Sequence, residues 1–407
     1  MGSIFELDEF KPFKRGFEDK QKTLDIRQSY YDGSIYRKWD KKLGWLGPRL
    51  GKDVKPLFLP LARAVDIDAG IIPGGWLFEG EGIEEGDQGL IDARDALFKA
   101  SRWDIWGILF VHYGAQYGVS ALKMVSRDDR VSISPIDPIN LFLIYNNPVQ
   151  LRPVMSLYVE KVKDADGKDI EKAEVITPEA FRFFLDGKEI DAPEGMAEAN
   201  PFKMVPYIEV RHIETGDQWG ECTFQKAMTL LDEVNSLAGK LAKVVEDHGD
   251  PQWAVFGAQP SNLTHSGDKV WFFPENAKAE IMVPEIDIEG TLAFIQEIKE
   301  GVKEALPELS FDELRSKDQI AAETLGLQLI ELVLKVQRAR PNYDAGLIEI
   351  MQMCGEVSPE YKALADEDIR FDQERPILPL DPMTKIRIEQ AQITLEMMKD
   401  GPEQSSE

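Results

Sequence analysis

Cysteine is nearly absent from this chain. Cys222 and Cys354 are the only two in 407 residues, far apart and in no C-x-x-C pattern. That excludes a disulfide framework and points to a reducing compartment. Histidine is scarce as well: His112, His212, His248 and His265 stand alone, with no His/Cys cluster of metal-ligand spacing. No run of about 18 apolar residues occurs, so no membrane span is expected. The opening MGSIFELDEF lacks the apolar core of a signal peptide, and Glu6 stands where a myristoylation signal needs Ser or Thr. Bases are also in short supply: 47 Lys and Arg face 73 Asp and Glu, a net charge of -26. A chain this acidic is poorly suited to wrapping nucleic acid, because phosphate affinity comes from Lys and Arg. It suits a surface that lies beside DNA without sticking, or simple solubility. A phosphate loop is nearly present and fails. Gly47-Pro-Arg-Leu-Gly51-Lys52-Asp53 is one residue short between its glycines, and Asp53 replaces the Ser or Thr that would hold Mg²⁺.

What the chain does contain is organised around residues 223–248, TFQKAMTLLDEVNSLAGKLAKVVEDH. Phe224, Ala227, Leu231, Val234, Ala238, Leu241, Val245 and His248 recur at alternating three- and four-residue spacing. That spacing predicts one long helix with a single apolar seam. Thr223 is the expected N-cap and Gly249-Asp250-Pro251 the stop, for a length of about 39 Å. Gln225, Asp232, Glu233, Lys240, Lys243 and Glu246 make the polar face. An ordinary amphipathic core helix reads the same way.

Around it the pattern predicts an α+β chain with room for two or three cores. Residues 1–20 read as loosely held. Helical stretches follow at 23–46, at about 60–72 and at 90–119, and Asp32-Gly33 marks a turn. From Ser120 the period drops to two. Strands are expected at 119–125, 131–136, 141–145, 153–159, 174–176, 181–185 and up to 210, with hairpin turns at Asp166-Gly167 and Asp186-Gly187. Three short strands, 251–257, 269–273 and 279–283, form an insert after the long helix. A second helix covers 291–306 and residues 307–318 read as a loop. A third helix at 319–340, apolar on most sides, is expected to kink at Pro341 and continue over 343–354. A late strand at 368–371 and a final helix at 384–399 close the chain.

In this order the elements resemble the portal proteins of tailed bacteriophages over roughly residues 22–396. The resemblance is carried by Arg27-Gln-Ser-Tyr-Tyr-Asp-Gly33, Val65-Asp-Ile-Asp-Ala-Gly70, His112-Tyr-Gly-Ala-Gln-Tyr-Gly118 and Asn200-Pro-Phe-Lys-Met-Val-Pro-Tyr207. Gly220, then Leu231-Asp-Glu-Val-Asn235, and Gly326-Leu327 complete it. Thr223 departs from the family's Ser, and the Ser-Gly pair before the third helix is not intact. The resemblance implies a portal-type fold: a wing at 1–222 holding a β-rich part at 120–212, stem helices at 223–249 and 290–306, and a clip at 250–289. A tunnel loop at 307–318, a kinked tunnel helix with its return strand at 319–376 and a short crown at 377–407 would follow.

The same resemblance implies a ring of twelve copies at one capsid vertex. Double-stranded DNA would be packaged and ejected through it, large terminase and later a head–tail adaptor would dock on the clip, and major capsid and scaffolding proteins would surround it. The location would be the virion, after assembly in the host cytoplasm, with no membrane partner. Twelve helices of about 10 Å diameter leave roughly 28 Å clear inside, enough for a duplex. The residues expected to face DNA are Glu308, Asp312, Glu313, Arg315, Lys317 and Asp318; a plain solvated loop has the same composition. Trp253, Trp271, Phe272 and Phe273 are expected at the clip for subunit or motor contact, or as a small core of the insert. Phe224, Leu231, Val234, Leu241 and Val245 are expected to pack the stem. Asp247, His248 and Asp250 form a polar cluster with no nucleophile in sequence reach. Catalytic residues, cofactor and metal are expected to be none. The alternatives are another ring-forming virion protein, such as an adaptor or minor capsid protein, and a carboxylate/Mg²⁺ enzyme, which the scattered acids disfavour.

Overall fold

The N-terminal residues build a core of their own. Ile4, Phe5 and Phe10 are buried on two 3-10 turns, Ile4–Glu6 and Lys11–Phe13. They pack with Phe17 against Leu157, Val159, Ala173, Val175 and Phe184 of a five-stranded sheet. The Ile4 backbone N–H donates to Glu171 at 2.7 Å, which ties the chain start to that sheet. This corrects the expectation of a loose N-terminus: four aromatic and aliphatic side chains in the first 17 residues have a sheet face to cover. The computed structural model describes residues 2–36, 58–74, 76, 88–127, 130–146, 152–164, 166–193, 198–249, 252–256, 278–282, 288–309, 329–365, 369–371 and 377.

The described elements are α1 Lys14–Tyr31, α2 Leu61–Ile71, α3 Gln88–Ser101 and α4 Trp103–Tyr117. Then come β1 Val119–Arg127, β2 Arg130–Ile136, β3 Leu141–Ile144, β4 Met155–Lys163, β5 Asp169–Ile176, β6 Phe181–Leu185, β7 Lys188–Ile190 and β8 Tyr207–Arg211. The last group is α5 Met228–Gly249, β9 Gln252–Phe256, β10 Lys278–Met282, α6 Ile288–Ala305 and α7 Ile330–Val357. The strands form antiparallel sheets of order β2-β1-β8, β10-β9 and β3-β4-β5-β6-β7. The chain is therefore α+β, and it divides into two units: Met1–Asp32, Pro60–Gln225 and Leu306–Glu407 form unit 1, and Gly33–Leu59 with Lys226–Ala305 form unit 2.

The main core of unit 1 lies between the β2-β1-β8 sheet and helices α3, α4 and α7. Val131 and Ile133 of β2, Leu122 and Met124 of β1, and Ile208 and Val210 of β8 meet Phe110, Tyr343, Leu347 and Ile350 there. Period-two burial on β2 is what puts Val131 and Ile133 on the same face. The Asn-Pro-Phe step before β8 has a mechanical role. Asn200 Nδ2 donates to the Thr177 and Met204 carbonyls at 2.7 and 2.8 Å, while its Oδ1 accepts from Phe202 N at 2.9 Å. One side chain thus folds the loop back on itself and seats Phe202 in the core.

Several boundaries differ from the sequence expectation. The expected single helix 90–119 is broken at Arg102, which is left-handed with φ 52°. Just before it, the Ser101 hydroxyl accepts from Ile133 N at 2.9 Å, so the end of α3 is bonded to β2 and cannot run on. Helix α1 starts at Lys14, not near Thr23. Thr223 does not sit at the start of α5: Gln225–Ala227 is a 3-10 turn and α5 starts at Met228. Pro341 lies inside the single helix α7. Ile369 and Phe371 are buried against the main core, and Phe371 carries a β-bridge where the late strand was expected. The near-miss phosphate loop, the strand at 269–273 and the helix at 384–399 lie outside the described residues.

Gly114 on α4 is a close-approach point. A Cβ there would overlap the hydroxyl of Tyr343, which is buried at 0% exposure. Gly114→Ala should therefore lower stability by about 2 kcal/mol, as overpacking does, read as an earlier urea midpoint. Adding Tyr343→Phe should recover part of that loss. Equal, additive losses in the two single variants and the double would contradict the contact.

Candidate functional site

Unit 2 is a helix, a strand pair and a helix. In α5, Leu231 and Val234 are fully buried, and Ala238 and Leu241 continue the stripe at helical spacing. In α6, Ile295 and Val302 are the buried positions. The helices run antiparallel. Leu230, at the start of α5, lies 3.7 Å from where a Cβ of Gly301 would sit, late in α6, while Ala238 and Leu241 share a groove with Leu292 and Ile295, early in α6. β9 and β10 join the far ends in register, Trp253 opposite Ile281. The groove holds about 450 Å³ and is floored by Phe58. Asn235 fixes that floor: its Oδ1 accepts from Phe58 N at 3.2 Å and its Nδ2 donates to Phe58 O at 3.2 Å. On α6, Glu297, Glu300 and Glu304 are exposed at i, i+3, i+7, with Lys303 bonded to Glu300 at 3.2 Å. That is a wet stripe of mostly one sign.

Unit 1 contains a buried chain of polar groups. Asp68 lies on α2, Leu61–Ile71, on the face that buries Leu61, Ala64 and Val65, and has no exposed surface. Its Oδ2 accepts from the Thr223 hydroxyl at 2.5 Å. With that proton committed, His212 Nε2 must be the donor to Thr223 Oγ1 at 3.1 Å, and Nδ1 accepts from Tyr343 OH at 2.9 Å. The assignment requires a neutral imidazole, and burial holds the His212 pKa below its ordinary value. On the other side, Lys335 Nζ on α7 lies 3.6 Å from Asp68 Oδ2, donates to the Thr223 carbonyl at 3.0 Å and bonds Glu308 Oε1. Glu308 sits on the 3-10 turn Pro307–Leu309 and is 0% exposed.

Two buried carboxyls share one ammonium, and they do not share it equally. Burial pushes Asp68 up, but the Lys335 charge, His212 and the Thr223 hydroxyl outweigh it and hold its pKa at about 2. For Glu308, burial and the Asp68 charge push the pKa up to about 8 against the pull of Lys335. Burial also works against the Lys335 charge, yet the two carboxyls raise its pKa above the ordinary value. The shared ammonium thus favours the ionised form of Asp68, while burial and the Asp68 charge favour the neutral form of Glu308. Glu308 Oε2 and Asp68 Oδ1 are buried without a hydrogen-bond partner. Among the described residues no group of three or more His, Cys, Asp and Glu is arranged to hold a metal ion. No described helix is long and apolar enough to cross a membrane.

The predicted residues divide accordingly. Phe224, Leu231 and Val234 are fully buried, Leu241 lines the groove, and Val245 falls on α5. Trp253 is on β9; Trp271, Phe272 and Phe273 lie outside the described residues, as do Asp312, Glu313, Arg315, Lys317 and Asp318. Glu308 is a correction. It is not a loop carboxyl open to DNA but a buried partner of Lys335, because Leu306 and Leu309 are both buried and draw their turn into unit 1. The sequence reading missed Asp68, His212, Lys335 and Arg340. A signal existed: Asp68 and Lys335 fall at helical spacing on the apolar face of their helices (Leu61, Ala64, Val65; Leu332, Val336, Ala339), and a charge there needs a partner. Arg340 caps α2, donating to the Ile72 and Ile71 carbonyls at 3.0 Å each.

A carboxyl with a raised folded pKa contributes stability while protonated and loses it as pH climbs from its unfolded range through about 8. Glu308→Gln stays neutral, so its melting temperature should rise relative to the parent between pH 6 and pH 9. A pH-independent difference would refute the assignment. Lys335→Met leaves Asp68 charged and alone, and should cost about 3 kcal/mol or more in denaturant unfolding.

The chain matches the family described as "Phage portal protein, SPP1 Gp6-like" over residues 110–395. No curated protein matches it. Among solved structures it is similar to a chain of the neck of an empty GTA particle computed with C6 symmetry, at 14% identity over 84% of this chain and 87% of that one, TM-score 0.45. It is similar also to a chain of the virion of a native gene transfer agent (GTA) particle, at 12% identity over 85% and 88%, TM-score 0.37. A third, from the neck of a native GTA particle computed with C12 symmetry, has 12% identity over 85% and 88%, TM-score 0.40.

Proposed function

The chain belongs to the SPP1 Gp6-like phage portal proteins, and from that premise we propose that its copies close into a ring, twelvefold in the virion, whose bore passes double-stranded DNA. What carries the reading is the extent of the match: residues 110–395 take in all of α5, β9, β10, α6 and α7, so both units are included. In this reading α5 and α6 are the stem, the β9–β10 region is the clip, and most of unit 1 is the wing. The clip is the docking surface for the terminase motor and later for the head–tail adaptor. The protein acts as a conduit and not as an enzyme, and it resides at a capsid vertex.

The chemistry of unit 2 supports this. Each helix buries one stripe against the other, yet Leu292 and Phe294 of α6 remain 51% and 49% exposed. A two-helix stem that keeps apolar residues on its flank is built for lateral neighbours. The acid stripe Glu297, Glu300 and Glu304 supplies the phosphate-repelling wall that the loop carboxyl Glu308 does not. A like-charged wall centres the duplex and leaves it nothing to bind.

Negative-stain microscopy of the purified chain should show closed rings with an open centre; a compact monomer at virion-like salt would overturn the proposal. Replacing Glu297, Glu300 and Glu304 together by Lys should convert weak duplex binding into tight, salt-sensitive binding in a gel shift at low salt. Unchanged binding by intact rings would place the stripe away from DNA.

A further inference from the structure

Unit 1 exposes two apolar patches on different helices. On α4, Ile105 and Ile108 are 57% and 51% exposed at the rim of an open cavity of about 740 Å³. Trp76, Phe98 and Trp103 form the cavity's aromatic wall. On the first turns of α7, Ile330 and Leu334 are 49% and 55% exposed, one helical turn apart. The first patch is concave and ringed by aromatics; the second is a convex pair on a helix. The two are well separated on unit 1. Lys335 packs at the level of Asp68, whereas Asp344 accepts from Trp76 at the cavity wall, nine residues further along α7. That is about 14 Å of helix.

Charge sorts the two patches as well. The exposed Arg102 precedes Ile105 by one turn, and the exposed Asp104 precedes Ile108 by one turn. On α7, the exposed Glu331 adjoins Ile330, and the exposed Arg338 lies one turn beyond Leu334. The concave patch carries two bases, Lys99 and Arg102, and one acid, Asp104, and the acid Glu331 and base Arg338 of the convex patch can face Arg102 and Asp104. A chain that carries both halves of such a contact at different places associates head to tail, and such association either closes into a ring or runs on as a filament.

We propose that Ile330 and Leu334 of one copy seat in the Trp76–Trp103 cavity of the next, with Arg102 facing the neighbour's Glu331 and Asp104 facing its Arg338. The proposal rests on the ring reading above and names the contact that makes the ring. All four apolar side chains are half exposed in the single chain, so polar replacements leave the fold of unit 1 intact. Covering them removes the apolar surface that a lone subunit would have to keep wet.

The test uses the full chain. Ile108→Cys with Leu334→Cys, treated with a mild oxidant, should give a ladder of covalently linked multimers, since the native Cys222 and Cys354 are both buried. Leu334→Asp should abolish rings while leaving the circular dichroism and melting temperature unchanged. Asp104→Arg should weaken assembly at least tenfold in the concentration needed for rings, and adding Arg338→Asp should restore it. Rings that persist in Leu334→Asp, without cross-linking in the cysteine pair, would overturn this contact while leaving the ring reading standing. An intrachain cross-link alone, seen as a faster-moving monomer, would overturn it in favour of cover by the chain's own residues. A parent chain that remains monomeric would overturn both.

Discussion

Lys335 is the point on which unit 1 turns. Its ammonium lies within the reach of two carboxyls and one backbone carbonyl, and nearly all of that environment is closed to water. A buried cation without a counter-charge would cost several kcal/mol, and so would either carboxyl without the cation. The three groups come from α2, from the turn at 307–309 and from α7, segments separated by up to 267 positions in sequence. Neither Asp68 nor Lys335 can shift by a helical turn without stranding a charge, and Glu308 cannot without losing its bond to Lys335. Apolar packing alone would tolerate such a shift far better, since it is not directional. The buried ions therefore set register, while the surrounding Leu, Val and Ile side chains supply most of the cohesion.

The same logic extends along α7. Its buried face carries a row of polar anchors: Lys335 to Asp68 and Glu308, Arg340 to the end of α2, Tyr343 to His212, and Asp344 to the Trp76 indole N–H at 2.8 Å. Each anchor meets a different partner, so together they admit one position of the helix against unit 1. This explains how a helix with Pro341 in its interior is held in one place against unit 1. The bond that proline cannot make is small beside four polar attachments that span more than two turns.

Much of this architecture was legible in the sequence. Period-two alternation located the strands from Val119 onward, and Asp186-Gly187 is the predicted hairpin turn, both residues at positive φ. Leu231 and Val234 of the apolar seam on α5 are both buried. Legibility failed where a residue's role is set by a partner far away in sequence. Arg102 breaks a helix because Ser101 is bonded to β2, and no local propensity encodes that. Thr223 has the composition of an N-cap, but its hydroxyl is committed to Asp68. Glu308 sits in a stretch with the composition of a loop, yet two neighbouring leucines bury its turn. His212 looks isolated along the chain because its three partners come from α2, Thr223 and α7.

The charge of -26 acquires meaning only when it is divided by environment. Asp68 and Glu308 contribute to that count, but both are sealed inside unit 1, and burial with the Asp68 charge pushes Glu308 toward its neutral form. They act on register and present no field to a polyanion outside. Glu297, Glu300 and Glu304 are a different population: exposed, evenly spaced along one helix and only partly compensated by Lys303. A field that centres DNA must come from carboxylates of this second kind, repeated around an axis by symmetry. Repetition in turn needs a subunit with two unlike faces, and unit 1 carries one on α4 and another on α7. In the proposed ring, inward repulsion and lateral adhesion reside on separate helices, so either can be altered by mutation while the other is kept.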